Sequence, residues 1–134
     1  MEQISVLPLP KKKKAVLATK PTKILKTITE AIQAKKGENI ISLDLRKIKE
    51  ASADFFIICE ASNSPQVRAI ADNVRAEVNK KCYEVPVHFE GHQNLSWVLL
   101  DYVNVVVHVM LPEIRKFYSI EEMWCDAAKE ELNG

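Results

Sequence analysis

The residues most capable of chemistry are two histidines and a glutamate within one short run, His88-Phe89-Glu90-Gly91-His92. Imidazole and carboxylate groups are zinc ligands, and zinc-dependent peptidases carry them as H-E-x-x-H on one face of a helix. Here the glutamate is displaced, a glycine interrupts the run and Pro86 precedes it, so a helix is disfavoured. We therefore predict no metal site at these residues.

Carboxylates for phosphoryl or nucleotidyl transfer are also scarce. That chemistry needs paired acids that hold two metal ions about 3.5–4 Å apart. Asp44 stands alone between two leucines, and only Asp54, on a neighbouring strand, could approach it. His108 lies in an apolar run, where a hydrogen-bonded structural histidine is the commoner case than a catalytic base. With three glycines in total the chain has no phosphate-binding loop, and we predict neither enzyme activity nor a cofactor.

The three cysteines, Cys59, Cys82 and Cys125, lie more than twenty residues apart and match no zinc-binding spacing. We expect buried free thiols in a reducing compartment. No apolar run approaches the roughly 20 residues that span a bilayer, and we predict a cytoplasmic protein that binds no membrane. Whether its setting is bacterial or organellar stays open.

Charge is distributed unevenly along the chain. Residues 1–26 carry seven lysines against one acid, whereas residues 27–134 carry twelve basic and seventeen acidic residues. We predict a flexible lysine-rich tail over residues 1–22 and one folded domain over residues 23–134. The acidic domain would attract a basic protein, while the lysines of the tail suit a contact with phosphates.

Helix patterns alternate with strand patterns in the domain. Thr22 can cap a first helix that Gly37 ends in the left-handed conformation, and Ser64-Pro65 begins a second that ends near Lys81. Strands are predicted at residues 39–45, 54–59, 85–90, 97–102 and 105–110, the last two forming a hairpin. Together they predict an α/β fold, a mixed sheet of about five strands flanked by helices.

After the hairpin, Pro112 stops the sheet and a short helical segment is expected to end near Tyr118. Ser119 and Glu122 have the spacing of a capping box, which predicts a last helix running to Ala128. Around the hairpin and its exit stand residues of the types enriched at protein-binding hot spots, Trp97, Tyr102, Arg115 and Tyr118. Protein binding is therefore the function these residues favour.

Several motifs in a fixed order resemble one family, the Iojap/RsfS ribosomal silencing factors, over roughly residues 23–128. They are Ala69-Ile70-Ala71-Asp72, Glu90-Gly91, Trp97-Val98-Leu99-Leu100-Asp101-Tyr102, Val105-Val106-Val107-His108-Val109 and Arg115-Lys116-Phe117-Tyr118-Ser119-Ile120-Glu121-Glu122-Met123-Trp124. The resemblance implies a nucleotidyltransferase-like topology without the catalytic acids. It also implies binding to the large ribosomal subunit through a basic ribosomal protein at the subunit interface, which blocks subunit joining and represses translation.

Carried over residue by residue, the resemblance implies that six side chains form or support the contact surface: Glu90, Trp97, Asp101, His108, Arg115 and Tyr118. With the ribosome as the implied partner, the lysine-rich tail is expected, if it is used, to touch nearby ribosomal RNA. Two rival functions stay open, a nucleotidyltransferase-like enzyme and an RNA-binding adaptor. Whether the free protein is a homodimer also stays open.

The chain departs from the family at the hairpin turn, where the family commonly has Gly-Asp and this chain has Val103-Asn104. A β-branched residue is strained at positive φ, so Asn104 is the residue expected to take the left-handed position.

Overall fold

The computed structural model describes residues 20–132. The tail expected over residues 1–22 therefore lies outside the described residues as far as residue 19. The helices are α1 (Lys20–Ala34), α2 (Ser64–Cys82), α3 (Pro112–Tyr118) and α4 (Ile120–Met123), and the strands are β1 (Glu38–Asp44), β2 (Phe55–Glu60), β3 (His88–Glu90), β4 (Trp97–Asp101), β5 (Val105–Met110) and β6 (Ala128–Glu131).

All the described strands form one mixed sheet in the order β3-β4-β5-β2-β1-β6. β2 and β5 run parallel, and the other neighbours are antiparallel. The predicted α/β fold and the β4–β5 hairpin are thus confirmed. The strand number is corrected from about five to six, because β6 adds an edge strand that the sequence did not predict.

The two faces of the sheet are covered differently. On the first face, α1 and α2 pack against alternate strand residues such as Ile57, Leu100 and Val107 to form the larger core. On the second face, α3 and α4 cover only the smaller cluster around Ile58 and Met110. Helices that cover one face fully and the other in part leave strand residues of the second face within reach of solvent.

The end of α1 differs from the prediction. Lys36, not Gly37, takes the left-handed conformation, with φ 65°. The amides of Lys36 and Gly37 donate to Gln33 and Ile32, which closes the helix by a Schellman pattern. Gly37 is needed for space, because a Cβ there would collide with the Ile32 side chain.

The start of α2 is capped one residue earlier than predicted. The side chain of Asn63, rather than that of Ser64, accepts a hydrogen bond from the amide of Gln66, at 2.9 Å. Pro65 occupies the first turn, where a missing N–H costs nothing. The helix ends at Cys82, and Tyr83 follows in the left-handed conformation.

The hairpin turn also differs from the prediction. Val103, not Asn104, has positive φ, at 74°. The amide of Asn104 donates to the carbonyl of Tyr102 at 2.9 Å, and an Asp101 carboxylate oxygen accepts from the Val103 amide at 2.8 Å. The carbonyl of Asn104 in turn accepts from the amide of Phe55, so contacts on both sides of the turn hold Val103 in a strained conformation.

The predicted last helix is wrong beyond Met123. Ser119 has φ 48° and its side chain does not cap α4; its hydroxyl donates to the carbonyl of Lys116 instead. Trp124 turns into the second core, edge-on to Phe56 at a centroid distance of 6.1 Å. The helix ends at Met123, and after a turn the chain continues as β6 along β1.

Candidate protein-binding surface

The partly uncovered part of the second sheet face lies around β4. Strand register places Glu90 of β3 opposite Leu99 of β4, which lies opposite His108 of β5. Trp97 and Asp101, two residues to either side of Leu99, point to the same face. The Trp97 and Tyr118 rings contact each other. We call this surface the β4 face: Glu90, Trp97, Leu99, Asp101 and Tyr118.

His108 supports the β4 face from below. It is 4% exposed, and its Nδ1 accepts a hydrogen bond of 3.1 Å from the indole Nε1 of Trp97. The Phe56 ring meets the imidazole edge-on, at a centroid distance of 4.7 Å. Burial among apolar groups lowers the pKa of His108 to about 4, so the ring is neutral at pH 7. His108 is therefore a positioning residue, since its neutral imidazole holds the indole of Trp97 in place.

Tyr118 and Trp97 form the aromatic centre of the β4 face. Their ring centroids are 5.0 Å apart, and Tyr118 is 49% exposed. Phe117, 78% exposed, packs edge-on against Tyr118 at 4.9 Å. Phe117 was not predicted as a candidate, although two adjacent aromatics in a short helix point about 100° apart, which makes exposure of one of them common.

Arg115 lies in the same region but is turned inward. It is only 9% exposed, its Nη1 donates to the carbonyl of Asn39 at 2.6 Å, and its Nη2 pairs with Glu121 at 3.0 Å. The guanidinium thus joins α3 and α4 to β1. Its place in the site is to hold the helix that carries Tyr118.

Tyr102 does not lie with the other three hot-spot residues. It follows β4 on the first face, buried in the larger core. Its hydroxyl has no hydrogen-bond partner among residues 20–132, and burial raises its pKa above the ordinary range. The predicted cluster of four is therefore corrected to Trp97 and Tyr118 with Arg115 beneath them.

Glu90 and Asp101 place carboxylates at the β4 face. Glu90 is exposed on the edge strand β3, and Asp101 is half-buried and bonded to the hairpin turn. Because one oxygen of Asp101 accepts from a backbone amide, its second oxygen is the one available to a partner. The surface therefore combines an aromatic centre with an acidic border.

The residues considered for metal chemistry are separated by the sheet. His88 and Glu90 point to the second face, whereas His92 stacks on Phe89 of the first core, with centroids 4.6 Å apart. Within residues 20–132 no three histidine, cysteine or acidic side chains converge as metal ligands. Asp44 is bidentate to Arg46, with a shortest distance of 2.7 Å, and this hydrogen bond lowers the pKa of Asp44.

The cysteines are free, but they are not all buried as predicted. Cys59 is in the core, where burial raises its pKa to about 12. Cys82 is half-buried and Cys125 is exposed. Cys125 follows Trp124 in a turn in which the indole packs against the second core and the Cys125 side chain lies at the surface.

No helix in the described part of the chain has the length and apolarity to span a bilayer. The family model described as "Ribosomal silencing factor during starvation" matches residues 18–134. A ribosomal silencing factor of Halalkalibacterium halodurans is 35% identical over 111 residues, which are 83% of this chain and 93% of that protein. The chloroplastic Iojap protein of Zea mays is 38% identical over 78 residues, 58% of this chain and 33% of that protein.

A crystal structure of a Chromobacterium violaceum protein superposes with a TM-score of 0.72 at 38% identity, covering 77% of this chain and 84% of that one. The resemblance drawn from the sequence motifs is thereby confirmed. The family match spans the described sheet and its helices. The chain belongs to the ribosomal silencing factor family, RsfS.

Proposed function

We propose that this protein is a cytoplasmic repressor of translation that binds the large ribosomal subunit through a basic ribosomal protein at the subunit interface. Bound there, it blocks joining of the small subunit. Its membership of the RsfS family supports a ribosomal role, and the β4 face supports the mode of binding. No catalysis is needed, because a domain of this size excludes the small subunit by its volume.

The observation that carries the proposal is the Trp97–Tyr118 pair, in which a half-buried indole on β4 contacts the exposed ring that ends α3, with the carboxylates of Glu90 and Asp101 on the same face. Tyrosine and tryptophan are enriched at binding hot spots, where large rings bury apolar area with little loss of conformational entropy. His108 and Arg115 hold these rings in place from inside the protein. A preorganised aromatic centre lowers the cost of ordering on binding.

Charge supports a basic partner. Residues 27–134 carry seventeen acidic against twelve basic residues, and two of the acids, Glu90 and Asp101, belong to the β4 face. Complementary charge speeds encounter and disfavours wrong partners such as exposed RNA phosphates. A protein partner on the ribosome therefore fits this face better than bare RNA does.

The nucleotidyltransferase-like enzyme is not favoured by the geometry. Both oxygens of Asp44 accept hydrogen bonds from Arg46, so a metal ion would have to displace a guanidinium. That enzyme would require stabilisation by nucleotide that depends on magnesium and is lost in Asp44→Asn. We expect no magnesium-dependent rise in melting temperature.

Sedimentation tests the proposal directly. Purified protein is run on gradients with large subunits, with small subunits and with both, and we expect co-migration with large subunits and loss of joined ribosomes. Tyr118→Ala should weaken binding about thirtyfold, since a central hot-spot residue is worth about 2 kcal/mol. Glu90→Lys should weaken it as well, by replacing attraction with repulsion.

Two matched variants serve as controls. Tyr83→Ala removes an aromatic ring that is 86% exposed after α2, and Glu30→Lys reverses a charge on α1, away from the β4 face. Both should bind as the parent does, and melting curves must show all four variants folded. If the test and control variants lose binding equally, the proposed surface is wrong. If the parent protein migrates with neither subunit, the proposed function is wrong. The same gradients run without ribosomes report whether the free protein is a homodimer.

A further inference from the structure

A separate pocket lies on the first side of the sheet, between α2 and the loop after β3. It holds about 210 Å³ and is lined by side chains from three elements and the loop. Those used below are Arg68, Asp72, Arg75, Phe89 and His92. We call it the arginine pocket. The sheet separates it from Trp97 and Tyr118.

The loop over the pocket is held by Gly91. This glycine has φ 85°, and a Cβ on it would collide with the backbone of Trp97. The amide of Leu95 donates to the carbonyl of Gly91 at 2.9 Å, which closes the loop beside β4. The close approach fixes His92 at the rim of the pocket.

The arginines of the pocket are not neutralised. Arg68 and Arg75 are exposed on α2, and neither forms a hydrogen bond or ion pair with another residue in the described range 20–132. Asp72 is the one acidic residue of the lining and is likewise unpaired within that range. An excess of positive charge therefore stands open in a domain that is acidic as a whole.

The rings of the pocket form a stack. The Cζ of Arg75 lies 4.3 Å from the centroid of Phe89, and the imidazole of His92 lies parallel to the same ring at 4.6 Å and 10°. When the face of a guanidinium lies on an aromatic ring, its N–H groups point outward in the guanidinium plane and can still donate to an oxyanion. His92 is exposed, so a further ring can stack on it.

From this arrangement we propose that the arginine pocket binds a nucleotide, with the phosphate on Arg68 and Arg75 and the base stacked beside His92. Bidentate donors that match phosphate oxygens, next to an aromatic platform, are the features that recognise a nucleotide unit. The cavity has the volume of about seven water molecules, which is enough for a phosphate group, and the base lies at the rim beside the exposed His92. No metal ion takes part.

The same chemistry is supplied by a free nucleotide or by one unstacked nucleotide of an RNA. Isotope-labelled full-length protein is titrated with adenosine monophosphate, adenosine, inorganic phosphate and a single-stranded adenylate hexamer without magnesium, and amide shifts are followed by NMR. Shifts are expected in residues 68–75 and 89–95. Adenosine monophosphate should bind at least about tenfold more tightly than adenosine or phosphate alone.

Variants on the same helix give the sharpest contrast. Arg68→Ala should weaken binding about tenfold or more through loss of a charge-assisted bond, and Asp72→Asn should strengthen it by removing the one negative charge. Lys80→Ala removes an equal charge from an exposed site on α2 outside the pocket, and binding should change less than about twofold. His92→Ala should bring the affinity for adenosine monophosphate close to that for phosphate.

Each outcome decides a separate question. Binding of the hexamer through the same residues, more than tenfold tighter than the mononucleotide, assigns the ligand to RNA; similar affinities assign it to free nucleotide. The proposal is overturned if no amide of the pocket shifts, if phosphate binds as tightly as the nucleotide, or if Lys80→Ala weakens binding as much as Arg68→Ala. None of these results bears on subunit binding by the β4 face, which the gradients measure independently.

Discussion

At the residue scale, the buried His108 links the core to the β4 face. The Nδ1 of its neutral imidazole accepts a hydrogen bond from the indole N–H of Trp97, while its second ring nitrogen is buried without a partner in the described chain. Charging the ring would require a second proton, placed on the nitrogen that now accepts the bond. Protonation therefore breaks the contact that orients Trp97 and buries an uncompensated charge.

The pH dependence of stability follows from this depressed pKa. In the unfolded chain the pKa of His108 is about 6.5, whereas in the folded protein burial lowers it to about 4. Between these values the unfolded state binds more protons, so the stabilisation is full above about pH 6.5 and is lost as pH falls toward 4. The loss from this residue should reach roughly 3 kcal/mol of unfolding free energy.

Urea unfolding from pH 7.5 to 4.5 measures this effect. His108→Gln keeps a side-chain acceptor for the indole but cannot gain a proton, so its stability should fall less than the parent's over that range. His88→Gln alters an exposed histidine on β3 and should follow the parent curve. Parallel curves for the parent and His108→Gln would rule out His108 as the source.

The sequence indicates which residue types stand near the hairpin, but it does not show which way their side chains point in the fold. Trp97, Tyr118, Asp101 and Glu90 were expected at the surface and do meet on the β4 face. Successive strand residues point to opposite faces, so Tyr102 lies on the opposite face from Asp101. Closeness of the two residues along the chain does not show this. The inward turn of Arg115 depends on Asn39, which is distant in sequence and was not predictable as its partner.

At the scale of elements, α3 and α4 are too short to be stable alone and depend on their contacts with the sheet. The Arg115 side chain supplies the polar part of that attachment, between Glu121 of α4 and the carbonyl of Asn39 in β1. Tyr118 ends α3. Its position against Trp97 therefore depends on a guanidinium that is itself buried.

Replacing Arg115 by methionine should lower the unfolding free energy by about 2–4 kcal/mol. The substitution leaves the Asn39 carbonyl and the Glu121 carboxylate without their donor, and breaking a largely buried pair costs about that much. Chemical denaturation measures the change.

Lys116→Ala, at the exposed neighbouring position, should stay within about 0.5 kcal/mol of the parent. Glu121→Ala combined with Arg115→Met completes a double-mutant cycle, in which the two losses should not add. Strict additivity would show that the pair carries no coupling.

Elements with strong hydrophobic periodicity were predictable, and the last element was not. α1, α2 and the strands β1, β2, β4 and β5 follow from apolar spacing, because each buries a continuous stripe. β6 has the sequence Ala-Lys-Glu-Glu, which has low strand propensity and is exposed throughout. Its conformation comes from pairing with β1, a tertiary contact with no local signal.

At the scale of the whole molecule, charge separates the chain into two parts of opposite sign. Residues 1–19 carry four lysines and one acid, a net charge of +3, so the remaining residues are left at −2 from a total of +1. The first part suits RNA phosphates and the second suits a basic protein.

Deleting residues 1–19 should therefore change two measurements in opposite directions. Association with an isolated basic ribosomal protein should become faster, because repulsion by the lysines is removed, whereas affinity for whole large subunits should fall if the tail touches ribosomal RNA. Stopped-flow mixing and gradients measure the two, at low and high salt. Both differences should shrink as salt screens the charges.

A tail replaced by one of equal length with glutamines for the four lysines is the matched control and should behave like the deletion. If the two measurements change in the same direction, charge is not what the tail contributes. If neither changes, the tail has no part in ribosome binding.

The ends of the sheet restrict how this protein can be approached. β3 has three residues and follows Pro86, which offers no amide to a neighbour, and β6 presents charged side chains along a four-residue edge. Short, proline-guarded and charged edges resist the addition of a strand from another chain. We therefore expect a partner to contact side chains on a face of the sheet and not to pair with its edge strands. The same two edges also disfavour assembly of several copies into an extended sheet.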